Sequence, residues 1–71
     1  MSRALSYLER VLLELLNHSE YGLTPLRAAQ ALWGNHATEA NKQAIRRALS
    51  RLERKGLVHS DLGGERYYAN S

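Results

Sequence analysis

The stretch NKQAIRRALSRLERKGLV, residues 41–58, constrains the fold more than any other part of the chain. Ile45, Ala48, Leu49 and Leu52 recur at helical spacing. At about 100° per residue they fall in one stripe about 100° wide, enough to seat a helix on a core. The other side carries Lys42, Arg46, Arg47, Arg51, Arg54 and Lys55 against one acid, Glu53. Gly56 supplies the stop. Such a helix needs an apolar partner for one face and a polar or charged environment for the other.

The apolar partner lies upstream. Leu5, Leu8, Leu12, Leu15 and Leu16 recur at steps of three and four, and Val11 widens the stripe. This predicts a helix over about residues 2–17, capped by Ser2, with Arg3, Glu9, Arg10 and Glu14 on its opposite side. Tyr7 and Leu13 fall off the stripe. NHSEYG ends this helix, because Asn17, His18, Ser19 and Gly22 form turns. Thr24 followed by Pro25 starts a short helix over about 25–33, and Gly34 stops it. Its inward candidates are Leu26, Ala29, Leu32 and Trp33, while Ala28, Ala29 and Ala31 permit close approach to another helix.

NHATEAN is a connector longer than a tight turn, and both Thr38 and Asn41 are possible caps for the basic helix. After Gly56, LVHSD and ERYYAN are joined through LGG, and their Val and Tyr residues predict a β-hairpin. The chain has no Phe and one Trp, so the core is aliphatic. Its 71 residues are expected to form one domain over 1–71, mainly α with a small hairpin, and a small domain buries a limited fraction of its surface.

Several chemistries find no support in the sequence. Cysteine is absent, which removes disulfides and thiolate metal sites and fits a reducing compartment. No apolar run approaches the roughly 18 residues of a membrane span, and the N-terminus lacks a secretory cleavage pattern, so a cytoplasmic protein is expected. His18, His36 and His59 lie in separate segments without ligand spacing, so no metal or cofactor is expected. Gly63-Gly64 precedes no helix start and is read as a turn, not a phosphate loop. In HSD, residues 59–61, adjacent side chains on a strand point to opposite faces, so no catalytic residue is assigned and no enzymatic activity is expected. Of Tyr67 and Tyr68, one is expected to pack inward and the other to rest on the surface.

Charge points instead to a polyanion. Residues 1–36 hold three cations and three acids, whereas residues 37–71 hold seven cations and four acids. On the basic helix, Gln43, Arg47, Ser50 and Arg54 cluster opposite the apolar stripe, flanked by Arg46 and Arg51. Arg and Gln have forked donors and acceptors that match guanine and adenine edges in the major groove, and Arg also neutralises phosphate. Basic helix faces are ordinarily just solvated. Here only Glu53 offsets the charge, a short capped helix precedes the basic one, and a glycine-linked hairpin follows it.

This order of elements resembles the winged helix-turn-helix domain of bacterial and archaeal transcription regulators over nearly the whole chain. AIRRALSRLERKGLV is similar to a recognition helix ending in Leu-x-x-Lys-Gly-Leu-Val, here Leu52, Lys55, Gly56, Leu57 and Val58. Regulators of the MarR, ArsR and PadR kinds carry similar segments, followed by a wing and a Tyr-containing return strand like GGERYYAN. The resemblance implies a recognition helix over 41–55 with Gln43, Ala44, Arg46, Arg47 and Ser50 facing bases. Lys42, Arg51, Arg54, Lys55 and the wing's Arg66 are then placed near phosphate. Two features depart from the pattern: the long connector before the basic helix, and a short wing carrying Asp61 and Glu65.

The function expected from this resemblance is sequence-specific binding of double-stranded DNA in transcription regulation. A protein-interaction module is the alternative, since fold does not fix function, and RNA binding is a further one. One recognition helix gives little discrimination among genomic sites, and the sequence stops soon after the wing. A homodimer through the first helix is therefore expected, with Tyr7 or Leu13 at the contact.

Overall fold

Ser6 opens the first helix. The structure, a computed structural model, describes residues 5–61 and 63–70. Helix α1 spans Tyr7–Asn17. Ser2 and Arg3 lie outside the described residues, and the expected start near residue 2 is corrected because Leu5 and Ser6 are not helical. The reason is local. Ser6 Oγ accepts the Glu9 N–H at 3.1 Å, and Glu9 Oε1 accepts the Ser6 N–H at 3.0 Å. This reciprocal box satisfies two donors that a helix start otherwise leaves free.

Helix α2, Pro25–Trp33, starts as the Thr-Pro pair predicts, with Thr24 Oγ1 accepting the Arg27 N–H. Its inward line is Pro25, Ala28, Ala29 and Leu32. Leu26 and Trp33, expected inward, are 47% and 38% exposed. They sit roughly 100° round the helix from that line. The two alanines face the core, so α2 approaches α3 through small side chains.

A 3₁₀ turn, Gly34–His36, fills the long connector, and helix α3 follows at Glu39–Arg54. Both candidate caps take part. Thr38 Oγ1 accepts the Asn41 N–H, and Asn41 Oδ1 accepts the Thr38 N–H, with Thr38 the cap itself. At the other end Gly56 turns left-handed at φ 78°. Its N–H reaches Glu53 O while the Leu57 N–H reaches Leu52 O, a Schellman closure.

Strands β1, Val58–Ser60, and β2, Tyr67–Ala69, pair antiparallel with Val58 opposite Ala69 and Ser60 opposite Tyr67. The sequence did not disclose a third piece of this sheet. Leu23, between α1 and α2, exchanges both backbone bonds with Tyr67 at 2.9 and 2.8 Å. The preceding Gly22 has φ 74°, and a Cβ there would lie 2.7 Å from Tyr67 O. Only glycine suits both the backbone angle and the approach.

Leu12 and Leu16 from α1, Ala28 and Ala29 from α2, Ile45, Ala48, Leu49 and Leu52 from α3, and Val58 from β1 form the core. Thus α3 is the central element, its stripe seated on both other helices. Among the described residues the architecture is three α-helices followed by a hairpin, a winged-helix-like fold. Among the described residues no helix is long and apolar enough to cross a membrane.

Candidate nucleic-acid interface

The outer face of α3 divides into two stretches. Towards its start, Gln43, Arg46, Arg47 and Ser50 are exposed and Ala44 is partly so. Arg46 and Arg47 make no ion pair among the described residues, nor does exposed Arg54 further along. Lys42 is half-buried and lies 3.3 Å from Glu39 one turn earlier. Because Glu39 is 74% exposed the pair is weak, and it leaves Lys42 available to another anion.

Towards the helix end the arrangement changes. Arg51 Nε donates to Glu9 Oε2 at 2.6 Å, and Lys55 Nζ donates to Glu9 Oε1 at 3.0 Å. Glu9 is 2% exposed, so its expected place on the solvent side of α1 is corrected. Its carboxylate also accepts the Ser6 N–H. The Ser6 N–H, then the Arg51 and Lys55 donors, outweigh desolvation and hold the Glu9 pKa at about 2, below the ordinary 4.5. Glu9 is therefore ionised at neutral pH, and two of the expected phosphate-facing cations already have a buried counter-ion.

Glu9 was the residue that sequence reasoning missed, although two signals were present. Ser6-Tyr7-Leu8-Glu9 is a capping-box pattern ahead of an apolar run. Residues 5, 9, 12 and 16 also share one helical line, so Glu9 occupies a core position between leucines. A carboxylate there requires cationic partners, and Arg51 and Lys55, one turn apart and bordering the α3 stripe, supply them.

The N-terminal half of α3 does not stand alone. Arg46 shares a cleft with Thr24, Pro25 and Leu26 at the start of α2 and with Gly63, Gly64 and Glu65 at the hairpin tip. Three elements distant in sequence thus border one concavity beside the exposed cations. Asp61 belongs to the turn: its Oδ1 accepts the Glu65 and Arg66 N–H groups at 3.2 and 3.4 Å. These backbone donors, Arg66 first, lower its pKa. The acid counted against a DNA-gripping wing therefore helps shape the wing.

Arg66 lies elsewhere. Its Nη1 donates to Tyr21 O at 3.3 Å and Gly22 O at 3.5 Å. It lines a separate groove with Arg27 and Gln30, to which α3 contributes nothing. Tyr67 packs against the core, while Tyr68 stacks on His59 at 5.3 Å between ring centres. On α1, Tyr7 is 84% exposed, whereas Leu13 is partly buried against the core. Val11, expected to widen the inward stripe, is half-buried and lines a shallow groove with Arg10, Glu14, Leu15 and His18. No family model, no curated protein and no solved structure matches the chain.

Proposed function

We propose that this protein is a sequence-specific, double-stranded DNA-binding winged-helix protein acting in transcription regulation. The reading rests on the N-terminal half of α3, whose exposed Gln43, Arg46, Arg47 and Ser50 stand beside the cleft bordered by α2 and the hairpin tip. A major groove about 12 Å wide admits one helix, and these side-chain types match base edges there. Gln43, Ala44, Arg46, Arg47 and Ser50 read bases, while Lys42 and Arg54 meet phosphate. Arg66, tied to the 21–22 carbonyls, is a weaker phosphate anchor than its wing position implies. Selection of bound sequences from a random duplex pool at two salt concentrations tests the reading. Recovery of a common motif at both supports it, and no retention at low salt rejects it.

The paired form of this reading uses the outer side of α1. Tyr7 stands free, and Val11 and Leu15 floor a groove rimmed by Arg10 and Glu14. Of the two expected contact residues Tyr7 is favoured, because Leu13 already packs on the core. A two-fold antiparallel pairing sets Arg10 of each copy toward Glu14 of the other. Sedimentation of wild type and Val11→Glu checks it: a wild type that stays monomeric on DNA removes the dimer. A protein-interaction role has one observation in its favour, the exposed Leu26 and Trp33 on one flank of α2.

A further inference from the structure

Glu9 is the one nearly inaccessible charged side chain among the described residues, and it faces the basic helix, not solvent. Its two oxygens are divided between Arg51 and Lys55, cations whose side chains remain 45% and 38% exposed. Both cations therefore lie at the surface, within reach of a polyanion, yet are held by a carboxylate of their own chain. A phosphate contacting them must compete with an acid that lies in contact distance, is itself buried and is anchored by the Ser6 N–H.

We propose that Glu9 is a positioning residue that limits the polyanion footprint: it acts as an internal counter-ion for Arg51 and Lys55 and confines DNA contact on α3 to the cations before them and to Arg54. This rests on the DNA-binding reading. Its effect is on specificity. Phosphate contacts strengthen binding to every duplex alike, so occupying two of the chain's cations lowers non-specific affinity while leaving base contacts intact. Arg54, beside Lys55 in sequence, has no acid partner among the described residues and is predicted to behave oppositely.

The test is the salt dependence of binding to a random-sequence duplex. Each phosphate neutralised adds about 0.9 to the slope of log affinity against log salt. Glu9→Gln removes the one negative charge that Arg51 and Lys55 share, so its affinity should fall about threefold more than wild type between about 50 and 200 mM salt. Glu20→Gln, an exposed acid with the same charge change, controls for net charge and should stay near the wild-type slope. In the wild-type background Arg54→Gln should flatten the slope by about 0.9 and Lys55→Gln, which shares one carboxylate with Arg51, by about half as much. The Lys55 arm does not depend on how well Glu9→Gln folds, and circular dichroism checks that variant. A Lys55→Gln slope flattened like that of Arg54→Gln overturns the proposal, as does a folded Glu9→Gln with the wild-type slope. Should wild type bind no duplex, the DNA reading fails on its own. Elution from immobilised heparin then decides the Glu9 proposal: Glu9→Gln eluting at higher salt than Glu20→Gln upholds it, and co-elution ends it.

Discussion

Arg46 and Arg51 belong to the same helix and have the same side chain, yet their surroundings are opposed. Arg46 stands exposed beside the cleft shared with α2 and the hairpin tip. Arg51 lies 2.6 Å from a buried carboxylate on α1. The N-terminal half of the helix therefore presents free charge, and two cations of its C-terminal half spend theirs on joining helices. Residue type says that a helix is basic; only the neighbouring element says how much of that charge is available to a partner.

The largest expected effect comes from removing what the halves share. Leu49 lies at the centre of the buried stripe beneath both. Leu49→Ala should lower stability by about 2–5 kcal/mol, through lost burial and a cavity. Denaturant unfolding measures it, and in a domain this small the loss is a large share of the total. An unchanged midpoint would show that the stripe is not the seat of α3.

Acid should act most strongly on the C-terminal half of α3. The folded pKa of Glu9, about 2, lies below its ordinary 4.5. The stabilisation is therefore fully present above that ordinary value and is lost as pH falls toward the folded one. Its size is about 1–3 kcal/mol, since water around the 45% and 38% exposed Arg51 and Lys55 side chains screens the contact. Denaturant unfolding at successive pH values from about 5 downward should show this decline in wild type and a shallower one in Glu9→Gln.

The N-terminal half is separated by discrimination between duplexes. Arg46→Ala and Gln43→Ala should reduce the preference for a selected site over random DNA by about 1–3 kcal/mol. Arg54→Ala should weaken both duplexes equally. Equal losses from all three would dissolve the distinction between base reader and phosphate anchor. The smallest effect belongs to the helix start. Thr38→Ala removes one side of the capping box and should cost about 1 kcal/mol. Amide exchange should quicken first at the opening turn of α3.

Most patterns set by neighbours in sequence were legible, the Ser6–Glu9 box at the start of α1 being the exception. The Thr24-Pro25 start, the apolar stripe of α3, the Gly56 stop and the hairpin all stand where the residues predict them. What escaped depends on packing between distant segments. Leu26 and Trp33 are large and apolar, but α2 turns its alanines inward, because close helix approach favours small side chains. The Glu9 clamp joins residues on two helices, and neither helix displays it alone. Of the candidate interface, the exposed start of α3 followed from periodicity, whereas the engagement of Arg51, Lys55 and Arg66 required the tertiary structure.

The reciprocal Leu23–Tyr67 bridge is expected to form late in folding. Its two strands of chain flank both α2 and α3, so closing it joins distant segments before two hydrogen bonds repay the lost freedom. Helices and a hairpin form from near neighbours and precede such a contact, which belongs to the late side of the barrier. A lesion there should act on escape from the native state and not on its formation. Gly22→Ala, which presses a methyl group toward Tyr67 O, is expected to speed unfolding severalfold while refolding keeps nearly its original rate. Stopped-flow measurement of both arms checks it, and a slowed refolding arm would move the bridge to the early side. Faster unfolding alone would place control over the lifetime of the folded chain at the seam between the Leu23 segment and β2.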